Sequence, residues 1–134
     1  MGRKMMAVLA LVSMMVWVPF IGVEAAGVEL LFAYSSGCSH CAYQKPIVRK
    51  FQERHPEVGV RWVNYSDLNR GDRKLIEGTS GHPVMVFHNG GHVRQMVGET
   101  SLSSLEEEYL AFKKQPGGTG ASKITTGSND TCDD

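Results

Sequence analysis

The sequence predicts an α/β fold, a mixed four-stranded sheet with helices on both faces in the order β-α-β-α-β-β-α. Two patterns lead to this prediction. An apolar run at 28–34 is followed by a helical pattern and then by an alternating run at 58–64, which together predict a right-handed parallel β-α-β unit. Further along, two short apolar runs flank Asn89-Gly90-Gly91, which is a strong signal for an antiparallel hairpin.

The elements follow in order along the chain. Residues 28–34 are mostly apolar, as expected of a buried central strand. Residues 39–54 form a helical pattern with Ile47 and Phe51 on one face and Pro46 inside. Residues 58–64 alternate as a strand does.

The second half of the domain is predicted to contain a short helix, the two hairpin strands and a last helix. Residues 67–77 indicate a short helix, and residues 83–88 and 92–97 are the two hairpin strands. Ser101 is the predicted N-cap of the last helix. The apolar stripe of that helix consists of Leu102, Leu105, Tyr109 and Phe112.

The two ends of the chain are predicted to lie outside the folded domain, which we place at 26–115. Residues 1–25 resemble a signal peptide, with Arg3 and Lys4 before an apolar stretch and small residues at the cleavage site. The apolar stretch, about 19 residues, is also long enough for an uncleaved membrane anchor. Residues 116–134 are rich in Gly, Ser, Thr, Asn and Asp, so a disordered tail is expected.

Charge and export narrow the classes of function. Lysine plus arginine balance aspartate plus glutamate at 14 each, so nucleic acid is not an expected partner. A signal peptide without a retention sequence predicts a periplasmic or secreted protein, and disulfides persist in those compartments.

The residues that carry chemistry are Cys38 and Cys41, two cysteines with two residues between them at a strand-to-helix junction. Backbone N–H groups at a helix N-terminus favour a thiolate, and a thiol one turn further on is close enough to form a small disulfide. The alternative is a structural disulfide, but a ring closed over two residues constrains the unfolded chain very little. The spacing therefore indicates a redox dithiol.

The domain resembles the thioredoxin-like family between Leu30 and Phe112. The matching features are the Cys38-Ser39-His40-Cys41 motif, the helix proline Pro46, Pro83 at the start of the third strand, and the hairpin followed by Val97-Gly98. The resemblance implies a minimal form of that fold and a cis peptide bond before Pro83. It also implies an exposed nucleophile at Cys38 and a more buried resolving thiol at Cys41.

The chain departs from the family at positions that matter for catalysis. The family's Trp-Cys-Gly-Pro-Cys is Gly37-Cys38-Ser39-His40-Cys41 here, and the buried aspartate six residues before the first cysteine is replaced by Phe32. In the family, that carboxylate helps to move the proton of the second cysteine. Glu29 lies nearby in sequence, but strand alternation alone does not place it under the disulfide.

Two histidines are candidates for tuning the dithiol. His40 lies between the cysteines, where an imidazolium would stabilise the Cys38 thiolate and make the disulfide more oxidising; the alternative is an ordinary turn residue. His82 precedes Pro83, where the family offers backbone groups to a substrate strand and places a side chain against the disulfide. The alternative for His82 is a solvent-facing loop position.

The predicted function is that of an exported thiol–disulfide oxidoreductase of cell redox homeostasis. We expect a monomer with no cofactor or bound metal, which exchanges disulfides with protein substrates and is reset by a redox partner. The rival is a module that binds Cu(I) or Zn(II) through Cys38, Cys41 and a histidine, His40 or His82. Cys132, in the predicted tail, is interpreted as an incidental exposed thiol, with a shuttle thiol or an interchain disulfide as alternatives.

Overall fold

The structure, a computed structural model, describes residues 27–115, the backbone of Ile124–Thr126, and Cys132. The predicted signal peptide or anchor at 1–25 lies outside these residues. Within the described part of the chain, no helix is long and apolar enough to cross a membrane.

The predicted element order is confirmed through the last helix. The strands are β1 (Glu29–Tyr34), β2 (Gly59–Asn64), β3 (Val84–His88), β4 (Val93–Val97) and a short β5 (Ile124–Thr126); the helices are α1 (Ser39–Arg54), α2 (Arg70–Leu75) and α3 (Leu102–Lys114). Helix α1 has the bounds that the sequence predicts. The second helix is shorter than the predicted 67–77, because Asn69 is its N-cap and Ile76 its C-cap.

The strands form one mixed sheet in the order β2-β1-β3-β4-β5. Strand β1 pairs in parallel with β2 and antiparallel with β3, and β3 and β4 form the predicted hairpin. The four-stranded core is therefore confirmed. The fifth strand, Ile124–Thr126, pairs in parallel with β4 and lies in the segment expected to be disordered, so that expectation does not hold for these residues.

Helices cover both faces of the sheet, as predicted. Against one face, α1 and α3 contribute Val48, Phe51, Leu105, Tyr109 and Phe112 to a buried aromatic cluster with side chains of β1, β3 and β4. The opposite face carries a second, aliphatic cluster against which the region of α2 packs. The alternation of strand residues divides the two: Leu30 and Phe32 face the first cluster, and Leu31 and Ala33 face the second.

Helix α2 is fixed to the sheet by one buried carboxylate. Asp72 forms a capping box with Asn69, in which each side chain accepts a hydrogen bond from the other residue's backbone N–H. The second carboxylate oxygen of Asp72 lies 2.6 Å from Arg61 on β2, and Arg61 also donates to Glu29 at 2.7 Å. The guanidinium holds the pKa of Asp72 below its usual value, chiefly through this hydrogen bond.

Candidate active site

Cys38 is the N-cap residue of α1. The turn before it contains Gly37 with φ at +82°, a left-handed conformation that glycine adopts at little cost. At Cys38 the backbone is extended, and its Sγ accepts a hydrogen bond from the backbone N–H of Cys41 at 3.2 Å. The sulfur therefore lies at the positive end of a four-turn helix, where a thiolate is stabilised.

Cys41 lies one turn further along α1 and is the more buried thiol, with 1% of its surface exposed. Its Sγ lies 3.8 Å from Nδ1 of His82. His82 is itself buried, and its ring packs edge-on against Tyr65 with centroids 5.4 Å apart. The structure thus places His82 against the cysteine pair and not in solvent.

The loop that carries His82 runs beside the cysteines with a cis peptide bond between His82 and Pro83, as the resemblance predicts. Hydrogen bonds hold the loop from both sides. The Tyr65 hydroxyl donates to the carbonyl of Gly81 at 3.2 Å, and the Gly98 N–H donates to the carbonyl of Pro83 at 2.9 Å. Gly98 has φ at +86°, so a larger residue there would strain the contact.

Cys132 contacts Cys38 through its sulfur and His82 through its backbone. The two Sγ atoms are 2.6 Å apart, and the backbone of Cys132 forms an antiparallel bridge with His82. The bridge has both hydrogen bonds, from the His82 N–H at 3.2 Å and back to the His82 carbonyl at 3.1 Å. Cys132 is therefore not the solvent-exposed tail thiol that the sequence predicts, because its sulfur contacts Cys38 and its backbone pairs with His82.

The contact with Cys132 changes the expected exposure of Cys38 and also affects the pKa of Cys132. Cys38 was expected to be exposed, yet only 8% of it is exposed while Cys132 lies on it. The pKa of Cys132 is raised, first by the hydrogen bond with Cys38 and second by burial, while the N–H groups of Ser39 and His40 act in the opposite direction. The end of the chain is thus in contact with the N-terminus of α1.

His40 is held by a partner that the sequence did not reveal. Its Nδ1 donates to Oε1 of Glu99 at 2.7 Å. Four residues further along the same face of α1, Gln44 exchanges two hydrogen bonds with the backbone of Thr100, at 2.8 and 3.1 Å. The segment after β4 is thus fixed to the first two turns of α1, and the His40 ring is oriented by Glu99.

Phe32, which stands where the family has its buried aspartate, lies in an apolar environment. Phe32 is fully buried in the first cluster, with its ring edge-on to Trp62 at 5.0 Å. Glu29 pairs with Arg61 on the other face of the sheet. Neither side chain provides a proton acceptor at the cysteines, and the ring nitrogen nearest to Cys41 Sγ among the described contacts is His82 Nδ1.

A possible metal set exists, but it differs from the predicted one. The ligand atoms of Cys38, His82 and Cys132 all lie within 4.8 Å of one another. The predicted rival used Cys41 and admitted His40 as the histidine, and the ring of His40 instead binds Glu99. The described histidines of the hairpin lie elsewhere: His88 approaches Glu29, and His92 bonds to Gln115.

The fold and this pair of cysteines define a thioredoxin-like α/β domain with a dithiol at the N-terminus of its first helix. No family model and no curated protein matches the sequence. Solved structures do match the fold. Chloroplastic thioredoxin z superposes with a TM-score of 0.56 at 13% identity, covering 67% of this chain and 81% of that one.

Two further structures agree with this result. Thioredoxin of Fasciola hepatica gives a TM-score of 0.55 at 19% identity, covering 65% of this chain and 82% of its own. A chain from a study of thiol resolution in yeast mitochondrial 1-Cys peroxiredoxin gives 0.53 at 18% identity, covering 66% and 79%. At these identities the likeness establishes the fold, and together with the adjacent cysteines it supports a thiol redox function.

Proposed function

We propose that this protein is an exported thiol–disulfide oxidoreductase that exchanges disulfides with protein substrates through Cys38 and Cys41. The observation that carries the proposal is the asymmetry of the two thiols. Cys38 caps the N-terminus of α1, and Cys41 lies behind it, buried against His82. One sulfur is placed to attack a partner, and the other to resolve the product.

The exchange proceeds in two balanced steps. The Cys38 thiolate attacks one sulfur of a substrate disulfide, so a Cys38–substrate bond forms and the second substrate sulfur leaves as a thiolate. The Cys41 thiolate then attacks Cys38 Sγ, which releases the first substrate sulfur. The substrate is reduced by two electrons and the Cys38–Cys41 pair is oxidised; run in reverse, the same steps oxidise a substrate dithiol.

The cis-Pro83 loop supplies the docking edge for the substrate. The backbone N–H and carbonyl of His82 point toward the segment that lies over Cys38, as the antiparallel bridge to Cys132 demonstrates. An extended substrate peptide would use the same two groups, since one added strand residue satisfies both. Specificity then rests on the substrate's backbone more than on its side chains.

His82 is the group that we assign to the proton of Cys41. Phe32 replaces the family's carboxylate, and Nδ1 of His82 lies 3.8 Å from the Cys41 sulfur. A neutral imidazole there accepts the thiol proton as Cys41 becomes the attacking thiolate. His82→Gln should therefore slow the resolving step and change its dependence on pH, while formation of the mixed disulfide is affected less.

Trapping of mixed disulfides tests the assignment of the two thiols. The experiment uses a Cys132→Ser background, because Cys132 would otherwise compete for Cys38. In that background Cys41→Ser should accumulate mixed disulfides with a reporter protein, and Cys38→Ser should accumulate few. Equal trapping by both variants, or trapping by neither, would contradict the nucleophile assignment.

The geometry disfavours a soft-metal site formed by Cys38, His82 and Cys132. Two thiolates that bind one tetrahedral zinc, with Zn–S bonds near 2.3 Å, lie roughly 3.8 Å apart. The sulfurs of Cys38 and Cys132 are separated by 2.6 Å, which is too close for two separate ligands. Metal analysis of protein purified under reducing conditions, with Cys132→Ser as the control, separates the two functions; stoichiometric zinc or copper lost in the control would favour the metal site.

We also propose that the domain is exported and acts as a monomer. Cleavage after residue 25 would release the domain into the periplasm or the exterior. N-terminal sequencing of protein from its native host should begin at or near Ala26. A full-length, membrane-bound product would instead place the domain at a membrane surface.

A further inference from the structure

Cys132 meets the dithiol in the way that a substrate cysteine would. Its sulfur lies 2.6 Å from Cys38 Sγ, and its backbone takes both hydrogen bonds that His82 offers on the docking edge. A chance approach of a tail thiol would give a sulfur contact without a matched pair of backbone hydrogen bonds. The backbone bridge fixes the main chain of Cys132, and the sulfur contact then directs its side chain at Cys38.

We propose that Cys132 is a third redox thiol, which forms an intramolecular disulfide with Cys38 and covers the active site as a tethered substrate. The oxidised protein then has two forms, one with the Cys38–Cys41 disulfide and one with the Cys38–Cys132 disulfide. In the second form the nucleophile is blocked and the backbone of His82 is occupied. The origin of the oxidised state rests on the proposed function, because it arises by exchange with substrate disulfides.

The two oxidised forms interconvert without an external reagent. The Cys132 thiolate attacks Cys38 Sγ of the Cys38–Cys41 disulfide; the Cys38–Cys132 bond forms, the Cys38–Cys41 bond breaks, and Cys41 leaves as a thiolate. The proton given up by Cys132 is balanced by the one that Cys41 takes up.

When Cys132 covers Cys38, the site discriminates between extended protein substrates and small thiols. A free substrate must displace both the sulfur and the two backbone hydrogen bonds of the tethered residue. Small thiols need displace only the sulfur. The chain's own terminus therefore competes with extended protein substrates more than with glutathione.

The effective concentration of Cys132 at Cys38 tests the inference directly. Cys41→Ser protein is equilibrated with glutathione and glutathione disulfide, quenched with acid, alkylated and mapped by mass spectrometry. A thiol on a flexible tether gives an effective concentration in the millimolar range. Because the bridge to His82 orients Cys132, we expect a value at least about tenfold higher than that of a flexible tether.

The matched control moves the thiol along the same tail. The variant Cys41→Ser, Cys132→Ser, Ser128→Cys keeps the tail length and composition but takes the thiol away from the His82 bridge. We expect its effective concentration to be lower than that of Cys132 by the same factor of about ten. Equal values for the two positions would overturn the proposal, because any tail thiol would then serve.

A second measurement uses the unaltered cysteines and keeps the outcome independent of the Cys41→Ser variant. Oxidised wild-type protein should yield a Cys38–Cys132 peptide as well as the Cys38–Cys41 one, and its absence would overturn the proposal. Turnover with a protein disulfide substrate should rise in Cys132→Ser. If Cys132→Ser has no turnover at all, the proposed function fails, whereas the effective concentration in Cys41→Ser still decides the inference.

Discussion

At the scale of single residues, we propose that His40 tunes the chemistry of the cysteine pair. Its ring lies between the two cysteines in sequence and is oriented by Glu99 at 2.7 Å. A positive group at this end of α1 favours the thiolate of Cys38 and so the reduced state of the pair. The hydrogen bond also ties the redox motif to the segment that follows β4.

We therefore expect His40→Gln in the Cys132→Ser background to make the protein more reducing, by roughly 20–60 mV, since about 30 mV corresponds to 1.4 kcal/mol for the two-electron couple. Equilibration with glutathione buffers measures the change. His55→Gln is the control, because His55 caps the other end of α1. An unchanged potential in His40→Gln would make His40 an ordinary turn residue.

Asp72 should dominate the pH dependence of the α2 region. Its folded-state pKa is lowered, chiefly by the hydrogen bond from Arg61, so its stabilisation is present above the unfolded value of about 3.9. That stabilisation is lost as the pH falls through the lower, folded-state pKa. Asp72→Asn should thus cost about 1–3 kcal/mol at pH 7.

Urea unfolding at pH 7 and in acid measures this effect. The difference between wild type and Asp72→Asn should shrink as the pH falls below that unfolded value, because protonated Asp72 also lacks a charge. Asp67→Asn is the control, since Asp67 is exposed in the 3₁₀ turn and should change stability little at either pH. A difference that does not depend on pH would show that Asp72 acts only through shape and neutral hydrogen bonds.

At the scale of elements, helix α1 is both the carrier of the cysteines and the support for the segment after β4. Gln44 is fully buried on this helix and exchanges two hydrogen bonds with the backbone of Thr100. Removal of one partner from a buried pair leaves the other unsatisfied. The position of Glu99, and through it the His40 ring, depends on this link.

Gln44→Ala is expected to lower the free energy of unfolding by about 1–3 kcal/mol, because the N–H and carbonyl of Thr100 lose their partners. Chemical denaturation measures the loss. Gln52→Ala on the same helix is the matched control, since Gln52 is exposed and should have an effect below about 0.5 kcal/mol. Equal losses for the two variants would contradict the role assigned to Gln44.

Elements with a strong local pattern were predictable, and those that depend on distant partners were not. The bounds of α1, the hairpin and the apolar stripe of α3 follow from periodicity and from Asn89-Gly90-Gly91. Gln44 resembles an exposed helix residue in sequence, because only the fold brings Thr100 against it. The short turn at Tyr65–Asp67 is different, because it depends on local hydrogen bonds of Asn64 and Ser66, which leave no apolar period in the sequence.

For the molecule as a whole, the C-terminal segment is the main departure from the predicted architecture. Ile124–Thr126 extends the sheet, and Cys132 reaches the dithiol. A polar, glycine-rich sequence gives no local signal for either contact, since both use the backbone and one sulfur. The cysteine pair, Pro83 and their mutual placement were predictable, because a motif and a resemblance defined them.

Removal of residues 116–134 should uncover Cys38 while leaving the domain folded. The buried side chains of both described clusters come from residues up to Phe112, so the core keeps its packing. In reduced protein, we expect Cys38 to react with a bulky alkylating reagent several-fold faster after truncation. The full-length Cys132→Ser variant should give an intermediate rate, and an unchanged rate in the truncated chain would contradict the covering of Cys38.

A single titration shows whether Cys38 and Cys41 form the proposed redox pair. Cys132→Ser protein is equilibrated over a range of glutathione ratios, and the Cys38–Cys41 disulfide is quantified by mass spectrometry. We expect a single two-electron transition with a midpoint between about −240 and −150 mV, more oxidising than thioredoxin at about −270 mV. A chain in which these two cysteines form no disulfide at any ratio would contradict this expectation.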